Sequence, residues 1–243
     1  MKVLGIDTST LTAGVAIVDG TRTLAEARGT SGARTSDLLV TVDEVCKRAG
    51  IAPLQLDAIA VGAGPGSFTG LRIGMATAKG IAFAAHKPLW AVSSLSALAY
   101  DASLRVTTEH YVPERDRFVA ILDARRGEVF AGCYGFDDDQ RFALVGEERV
   151  MAPTDVAAWV AALAEDRDVH YAGDAIEAYP DVFAPYASVW LPERTPSGLA
   201  VALLAEEGAH VDVLTDGAPT YIRPSEAEVM YPNGVPGALT RKP

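Results

Sequence analysis

One order of elements is written twice along this chain, and it restricts the folds open to it more than any other feature. Val3–Thr8 is a short apolar run, Ala13–Val18 a second after a Thr/Ser/Gly turn, and Thr23–Arg28 a third after Asp19-Gly20. Asp-Gly between apolar runs signals a hairpin. Thr35 or Ser36 can cap a helix that Gly50 ends; Leu38, Val42, Val45 and Ala49, with Leu39 and Cys46 beside them, follow the 3.6-residue period. Asp57–Ala63 then reads as a buried strand, Ser67–Ala85 as a helix, Leu89–Val92 as a strand and Ser94–Ala102 as a short helix. After a polar join near residues 104–116 the order returns. Phe118–Asp123 and Glu128–Phe136 form a hairpin around Arg125-Arg126-Gly127, and Arg141–Val150 is a third strand. A helix over Thr154–Glu165 capped by Thr154, a strand at Val169–Gly173 and a helix at Asp174–Tyr179 cut short by Pro180 follow. Ser188–Leu191 and the capped helix Ser197–Gly208 complete the second copy.

A βββαβαβα unit written twice is the pattern of the actin, sugar-kinase and Hsp70 class, the actin-like (ASKHA, ribonuclease H-like) α/β fold. The expected division is a first domain over residues 1–103, a smaller second domain over 104–223 and a flexible tail over 224–243. Helix 196–208 is able to pack back onto the first domain. The tail carries four prolines and scattered glycines, which suits a spacer.

Composition narrows the function classes. With 49% hydrophobic residues the chain can bury a core, and no apolar run of membrane-spanning length occurs. The first residues meet an acid at Asp7 and offer no signal-peptide apolar region, and Cys46 and Cys133 stand alone, so a cytoplasmic protein with reduced thiols is expected. The net charge of −11 is uneven: residues 1–103 carry nine Lys/Arg against eight Asp/Glu, the remainder twelve against twenty-four. An acidic second half repels phosphate backbones, so any work on RNA must leave the grip to another molecule.

The densest motif is Gly62-Ala63-Gly64-Pro65-Gly66-Ser67-Phe68-Thr69-Gly70-Leu71-Arg72-Ile73-Gly74. A glycine loop between strand and helix can cradle phosphate. The dinucleotide fingerprint fails because Ser67 stands where Gly or Ala is needed, and a Walker loop fails because no Lys occurs until Lys79. A serine elbow fails because Pro65 and Thr69 occupy its glycine places. The helix that follows repeats Gly70, Gly74, Ala78 and Ala82 every four residues. Glycine inside a helix costs about 1 kcal/mol relative to alanine, so two on one face need a close neighbour. Periodicity leaves open whether that neighbour is the chain's own sheet or a partner.

Four stretches in register resemble the TsaB/YeaZ family. Gly64-Pro65-Gly66-Ser67-Phe68-Thr69-Gly70-Leu71-Arg72 is similar to its hallmark and Ile6-Asp7-Thr8-Ser9 to its first turn. Asp123-Ala124-Arg125-Arg126-Gly127-Glu128-Val129-Phe130 is similar to its second-domain hairpin, and Tyr221-Ile222-Arg223 to its closing motif. The match spans residues 1–223. Arg34 departs from the His that many members carry there, and Phe130 from the commoner Tyr.

The resemblance implies an actin-like fold without a catalytic site of its own. It implies a heterodimer with the catalytic paralogue TsaD through first-domain helices, joined by the ATPase TsaE, with a homodimer when the chain is alone. It further implies a role in threonylcarbamoyl transfer to adenosine 37 of tRNAs reading codons that start with A, with tRNA met only through the complex. The interface is expected at Gly64, Pro65, Gly66, Ser67, Phe68, Thr69, Gly70, Arg72, Gly74, Ala78 and Ala82. ATP or ADP would belong to a subunit interface of the complex. Asp7 and Thr8 stand where actin-like ATPases hold nucleotide, but an acid after a first strand equally caps its own turn, on the N–H of Ser9 or Thr10. Asp123, Arg125, Arg126 and Glu128 can dock a third subunit or pair among themselves as a surface ion cluster. The paralogue's metal is held by a His-x-x-x-His pair, whereas His86, His110, His170 and His210 here lie more than twenty residues apart. The rival reading is an actin-fold ATPase or small-molecule kinase acting alone.

Overall fold

A computed structural model of the chain describes residues 1–29, 38–106 and 115–212. Arg34, the cap at Thr35 or Ser36, His110, the Tyr221-Ile222-Arg223 motif and the tail from Pro224 lie outside the described residues.

The first half runs β1 (Lys2–Asp7), β2 (Gly14–Asp19), β3 (Arg22–Arg28), α1 (Leu38–Ala49), β4 (Ala58–Gly62), α2 (Phe68–Ala85), β5 (Leu89–Val92) and α3 (Ser94–Ser103). The second half runs β6 (Asp116–Arg125), β7 (Glu128–Phe136), β8 (Phe142–Leu144), β9 (Arg149–Met151), α4 (Val156–Ala164), β10 (Asp168–Ala172), α5 (Ala175–Ala178), α6 (Pro180–Phe183), α7 (Gly198–Glu206) and β11 (Val211–Asp212). The first sheet has the order β11-β5-β4-β1-β2-β3, and the second β10-β6-β7-β8 with β9 also on β7. β1 pairs antiparallel with β2 and parallel with β4, which places the end of β1 beside the end of β4.

Burial sorts the molecule into five layers. On one face of the first sheet Leu4, Ile6 and Ile59 meet α1 and α2 through Val42, Val45, Met75 and Ala78. On its other face α3 and α7 form a shared layer, which also receives Phe118, Ala120 and Leu122 of the second sheet. The far face of the second sheet packs Val119, Ile121 and Cys133 against α4 and the α5–α6 segment. α7 therefore lies on β1 although it ends the second half of the sequence. It sits so close that a Cβ on Gly198 would come 2.6 Å from the carbonyl oxygen of Gly5. Glycine at both positions lets helix backbone touch strand backbone.

Four local expectations are corrected. Arg141–Val150 is not one strand; it breaks into β8 and β9, which pair with opposite ends of β7. Between them Gly146 takes a positive φ of 87° and Glu148 turns inward to accept a 2.5 Å hydrogen bond from Tyr134 Oη. Thr154 does not cap α4: Pro153 starts a 3₁₀ turn over Pro153–Asp155 that leads straight into the helix, and Thr154 Oγ1 reaches no further than Asp155. Pro180 opens α6 as well as ending α5, because its missing N–H falls in a first turn, where none is needed. Ser188–Leu191 forms no strand; a 3₁₀ turn over Ala184–Val189 delivers Trp190, which makes a single parallel bridge to Tyr171.

Candidate functional site

The glycine-rich loop and the turn after β1 close on each other. β1 delivers Asp7 to the interior, where Gly62 at the end of β4 leaves room for its carboxylate: a Cβ there would overlap Asp7 Oδ2. Oδ1 accepts from the Ser9 amide at 2.8 Å and the Ser9 hydroxyl at 2.6 Å, and Oδ2 from the Ser94 hydroxyl at 2.7 Å. Burial raises the Asp7 pKa, and the hydrogen bonds from Ser9 and Ser94 partly oppose the rise. Ser94 Oγ also accepts from the Gly64 amide at 3.2 Å, so one carboxylate ties the first turn, the loop after β4 and the start of α3 together. The neighbouring Thr8 hydroxyl donates to the Gly70 carbonyl at 2.8 Å, and the Ser67 amide donates to the Ser9 carbonyl at 2.6 Å. Ser67 caps α2, its hydroxyl accepting from the Gly70 amide at 3.3 Å. Asp7 and Thr8, the candidate nucleotide residues, thus direct their polar atoms into the protein, and Asp7 is fully buried.

The small-residue stripe on α2 faces inward. Cβ atoms on Gly70 and Gly74 would overlap Thr8, and Ala78 and Ala82 are fully buried. This corrects the assignment of Gly70, Gly74, Ala78 and Ala82 to a partner surface: Gly70 meets the Thr8 carbonyl, Gly74 the Thr8 side chain, and Ala78 and Ala82 the core under the first sheet. Gly64 and Pro65 are buried with them, whereas Ser67, Phe68, Thr69 and Arg72 are exposed.

The opposite face of α2 carries a feature that the repeat of four concealed. Ala76, Gly80 and Ala84 are exposed at the same spacing, and among the described residues a Cβ on Gly80 would meet nothing within 4 Å. Phe83 beside them is 77% exposed, and on α1 Leu39 and Val40 are 61% and 66% exposed. The α1 pattern had put Leu39 next to the buried stripe; it points outward instead. Arg72 lies over the ring of Phe68, 3.8 Å from its centre. The signal that could have found this face is Gly80 itself, a helical glycine outside the inner stripe, with open space beside it among the described residues.

In the second half, Arg125, Arg126 and Gly127 all adopt positive φ in the β6–β7 turn. Asp123 accepts from the Arg125 amide at 2.8 Å and pairs with its guanidinium at 3.0 Å. Tyr179 Oη donates to Asp123 at 3.0 Å and to the Glu128 carbonyl at 3.1 Å, fixing the hairpin to the α5–α6 segment. The cluster is a braced turn that presents Arg125 and Arg126 to solvent.

Among the described residues no group of three His, Cys, Asp or Glu side chains could hold a metal ion, and no helix is long and apolar enough to cross a membrane. His170 bonds Asp116 at 2.7 Å and His210 stacks on Trp90 at 4.1 Å.

Comparison with known proteins places the fold and the family. The chain resembles in structure the activator of the 2-hydroxyisocaproyl-CoA dehydratase from Clostridium difficile, solved with bound ADPNP, at a TM-score of 0.51 and 14% identity over 86% of this chain and 96% of that one. That likeness shows the actin-like fold. YeaZ from Pseudomonas aeruginosa superposes with a TM-score of 0.72 at 28% identity, over 90% of this chain and 100% of that one. The tRNA threonylcarbamoyladenosine biosynthesis protein TsaB of Bacillus subtilis is 31% identical over 244 residues, 95% of this chain and 98% of that protein. A family model described as TsaD: tRNA N6-adenosine threonylcarbamoyltransferase matches residues 30–235. With its first turn sealed by its glycine loop in an actin-like frame, this chain belongs to the TsaB/YeaZ family, inside the wider TsaD-type family.

Proposed function

We propose that this chain serves tRNA threonylcarbamoyladenosine biosynthesis as a non-catalytic scaffold or activator. It pairs in the cytoplasm with the catalytic paralogue TsaD, is joined by the ATPase TsaE, and supports transfer of threonylcarbamoyl to adenosine 37 of tRNAs reading codons that start with A. The observation that carries this reading is the outer face of α1 and α2. Phe83, one turn on from Gly80 on α2, and Leu39 and Val40 on α1 are all exposed large apolar side chains. Burying one such large side chain contributes about 1.5–3 kcal/mol, and a glycine notch admits a second helix closely. The match to a TsaD family model supports a partner that is a relative of the same fold, whose own α1–α2 layer would be the natural counterpart. A second copy of this chain is a substitute when that relative is absent. The first 103 residues carry nearly balanced charge, so this face does not repel a like one, and the acidic remainder leaves tRNA to the partner. Asp7 supports the same reading, since its carboxylate oxygens are engaged within the chain. ATP or ADP then belongs to the assembled complex, and the β6–β7 turn with Asp123, Arg125, Arg126 and Glu128 is a docking point for TsaE.

The test is co-purification with TsaD and TsaE, followed by a tRNA modification assay with and without this chain. The expected result is a heterodimer formed at the expense of the homodimer, and modification that depends on it. Failure of the mixed proteins to associate overturns the reading. Micromolar binding of ATP and Mg²⁺ to the lone chain by calorimetry would favour an actin-fold ATPase or small-molecule kinase instead.

A further inference from the structure

We infer that Arg117 forms the floor of a binding site for a small oxyanion of carboxylate or phosphate type, at the end of the second sheet where β6 and β10 begin. The inference is independent of the role proposed for α1 and α2. Arg117 stands near the start of β6 and is only 5% exposed. A buried charge is costly unless it is paired and hydrogen-bonded. Yet among the described residues its guanidinium makes one hydrogen bond, from Nη1 to the carbonyl of the adjoining Asp116 at 3.2 Å, and Nε is buried with no acceptor. Nη1 is thus turned to the chain's own backbone, and the edge left over is the one formed by Nε and Nη2. That edge presents parallel N–H groups, the fork that takes two oxygens of one carboxylate or phosphate.

The fold makes room for this guanidinium. It lies against Gly135 on β7, where a Cβ would overlap Nη1 and come 3.3 Å from Cζ. Glycine inside a strand marks a close approach, here by the arginine head. The carboxylates nearby are engaged elsewhere. Asp116 precedes Arg117 on the strand, so its side chain leaves from the opposite face, and its Oδ1 bonds His170 at 2.7 Å. Glu165, just beyond α4, is 74% exposed and reaches Arg167 at 4.0 Å.

A second cation stands at the same end of the sheet. β10 runs parallel to β6 with Val169 opposite Arg117, and Arg167 leads into β10 two residues before Val169. Burial holds the Arg117 guanidinium below its usual pKa and the charge of Arg167 lowers it further, while Cys133 and Glu165 oppose the fall. Arginine nevertheless keeps its proton in a protein. A buried guanidinium with an unused N–H and a like charge beside it is relieved by an oxyanion. That group is either a free ion or a carboxylate of the chain's own Glu109 or Glu114, which precede β6 in the sequence.

Arginine side-chain NMR of the full chain tests this, following the Arg117 Nε–H signal, which is assigned by its loss in Arg117→Lys. Sodium phosphate or sodium acetate is added against sodium chloride at equal ionic strength. Both oxyanions are expected to shift the signal to saturation at millimolar concentration, with chloride weaker by about tenfold or more. Arg167→Gln should weaken phosphate binding by about three- to tenfold. Its melting temperature in chloride should stay near the parent's, since Arg167 is 33% exposed. The double variant Glu109→Gln with Glu114→Gln decides the source. Phosphate binding about tenfold tighter than the parent's assigns the site to the chain's own carboxylate, and unchanged binding assigns it to a free ion. The inference is overturned if neither oxyanion shifts the signal beyond chloride in both the parent and the double variant, or if Arg167→Gln binds phosphate as the parent does.

Discussion

Thr8 occupies the space that Gly74 leaves open: a Cβ on Gly74 would overlap the Thr8 hydroxyl, which donates to the Gly70 carbonyl at 2.8 Å. The contact joins the turn after β1 to the second turn of α2, and both partners are buried. Gly74→Leu must therefore push α2 off the sheet. A loss of about 3 kcal/mol or more of folding stability is expected, read as a fall in the urea midpoint of the chain alone. A variant with the parent's midpoint would show that α2 does not pack in this way.

Changes at Gly80 and Phe83, six and nine residues beyond Gly74 and on the exposed side of α2, are expected to act differently. Gly80 is exposed with open space around it, so Gly80→Ala should stabilise the lone chain by up to about 1 kcal/mol through helix propensity. Gly80→Leu and Phe83→Asp should leave the melting temperature close to the parent's while weakening association with TsaD by about tenfold to a hundredfold. Sedimentation velocity of the mixed proteins measures this. Undiminished association of both variants would remove the α2 face from the interface.

Asp101 on α3 ties down the start of α7 across the molecule. It accepts from the Ser197 amide at 2.9 Å and the Ser197 hydroxyl at 2.7 Å, while Ser197 caps α7 through the Ala200 amide at 2.9 Å. Burial raises its pKa to about 7; Ser197 and Arg28 oppose the rise and Glu193 adds to it. A raised folded-state value means that the native protein holds the extra proton between about pH 4 and pH 7. Stability from this group is complete below that window and falls as pH climbs through it, by an amount on the order of 4 kcal/mol. Asp101→Asn is expected to flatten that slope, so that its melting temperature gains on the parent's between pH 4 and pH 8. A constant difference across the range would show that Asp101 does not titrate there.

Much of the frame was legible in the sequence because it is local. The first half's strands and helices follow from hydrophobic period and Asp19-Gly20, and the inner α2 stripe announced a close neighbour by its glycines. In the second half local signals competed with distant ones. Arg141–Val150 has the composition of one strand, but Glu148 turns in to the hydroxyls of Tyr134 and Ser93, the latter on the loop before α3, and the strand breaks.

The chain's own text determined that helix α2 is lean on one side and that Asp7 follows a buried strand. Tertiary structure alone decided that the lean side rests on Thr8 and that the free glycine is Gly80. It also decided that α7 lies against β1 and that Val211–Asp212 extends the first sheet beside β5. Period and capping energies act over a few residues and can be read along the chain. The neighbour a face meets depends on contacts between segments more than a hundred residues apart, such as Gly5 with Gly198 and Trp90 with Asp212, which no local pattern encodes.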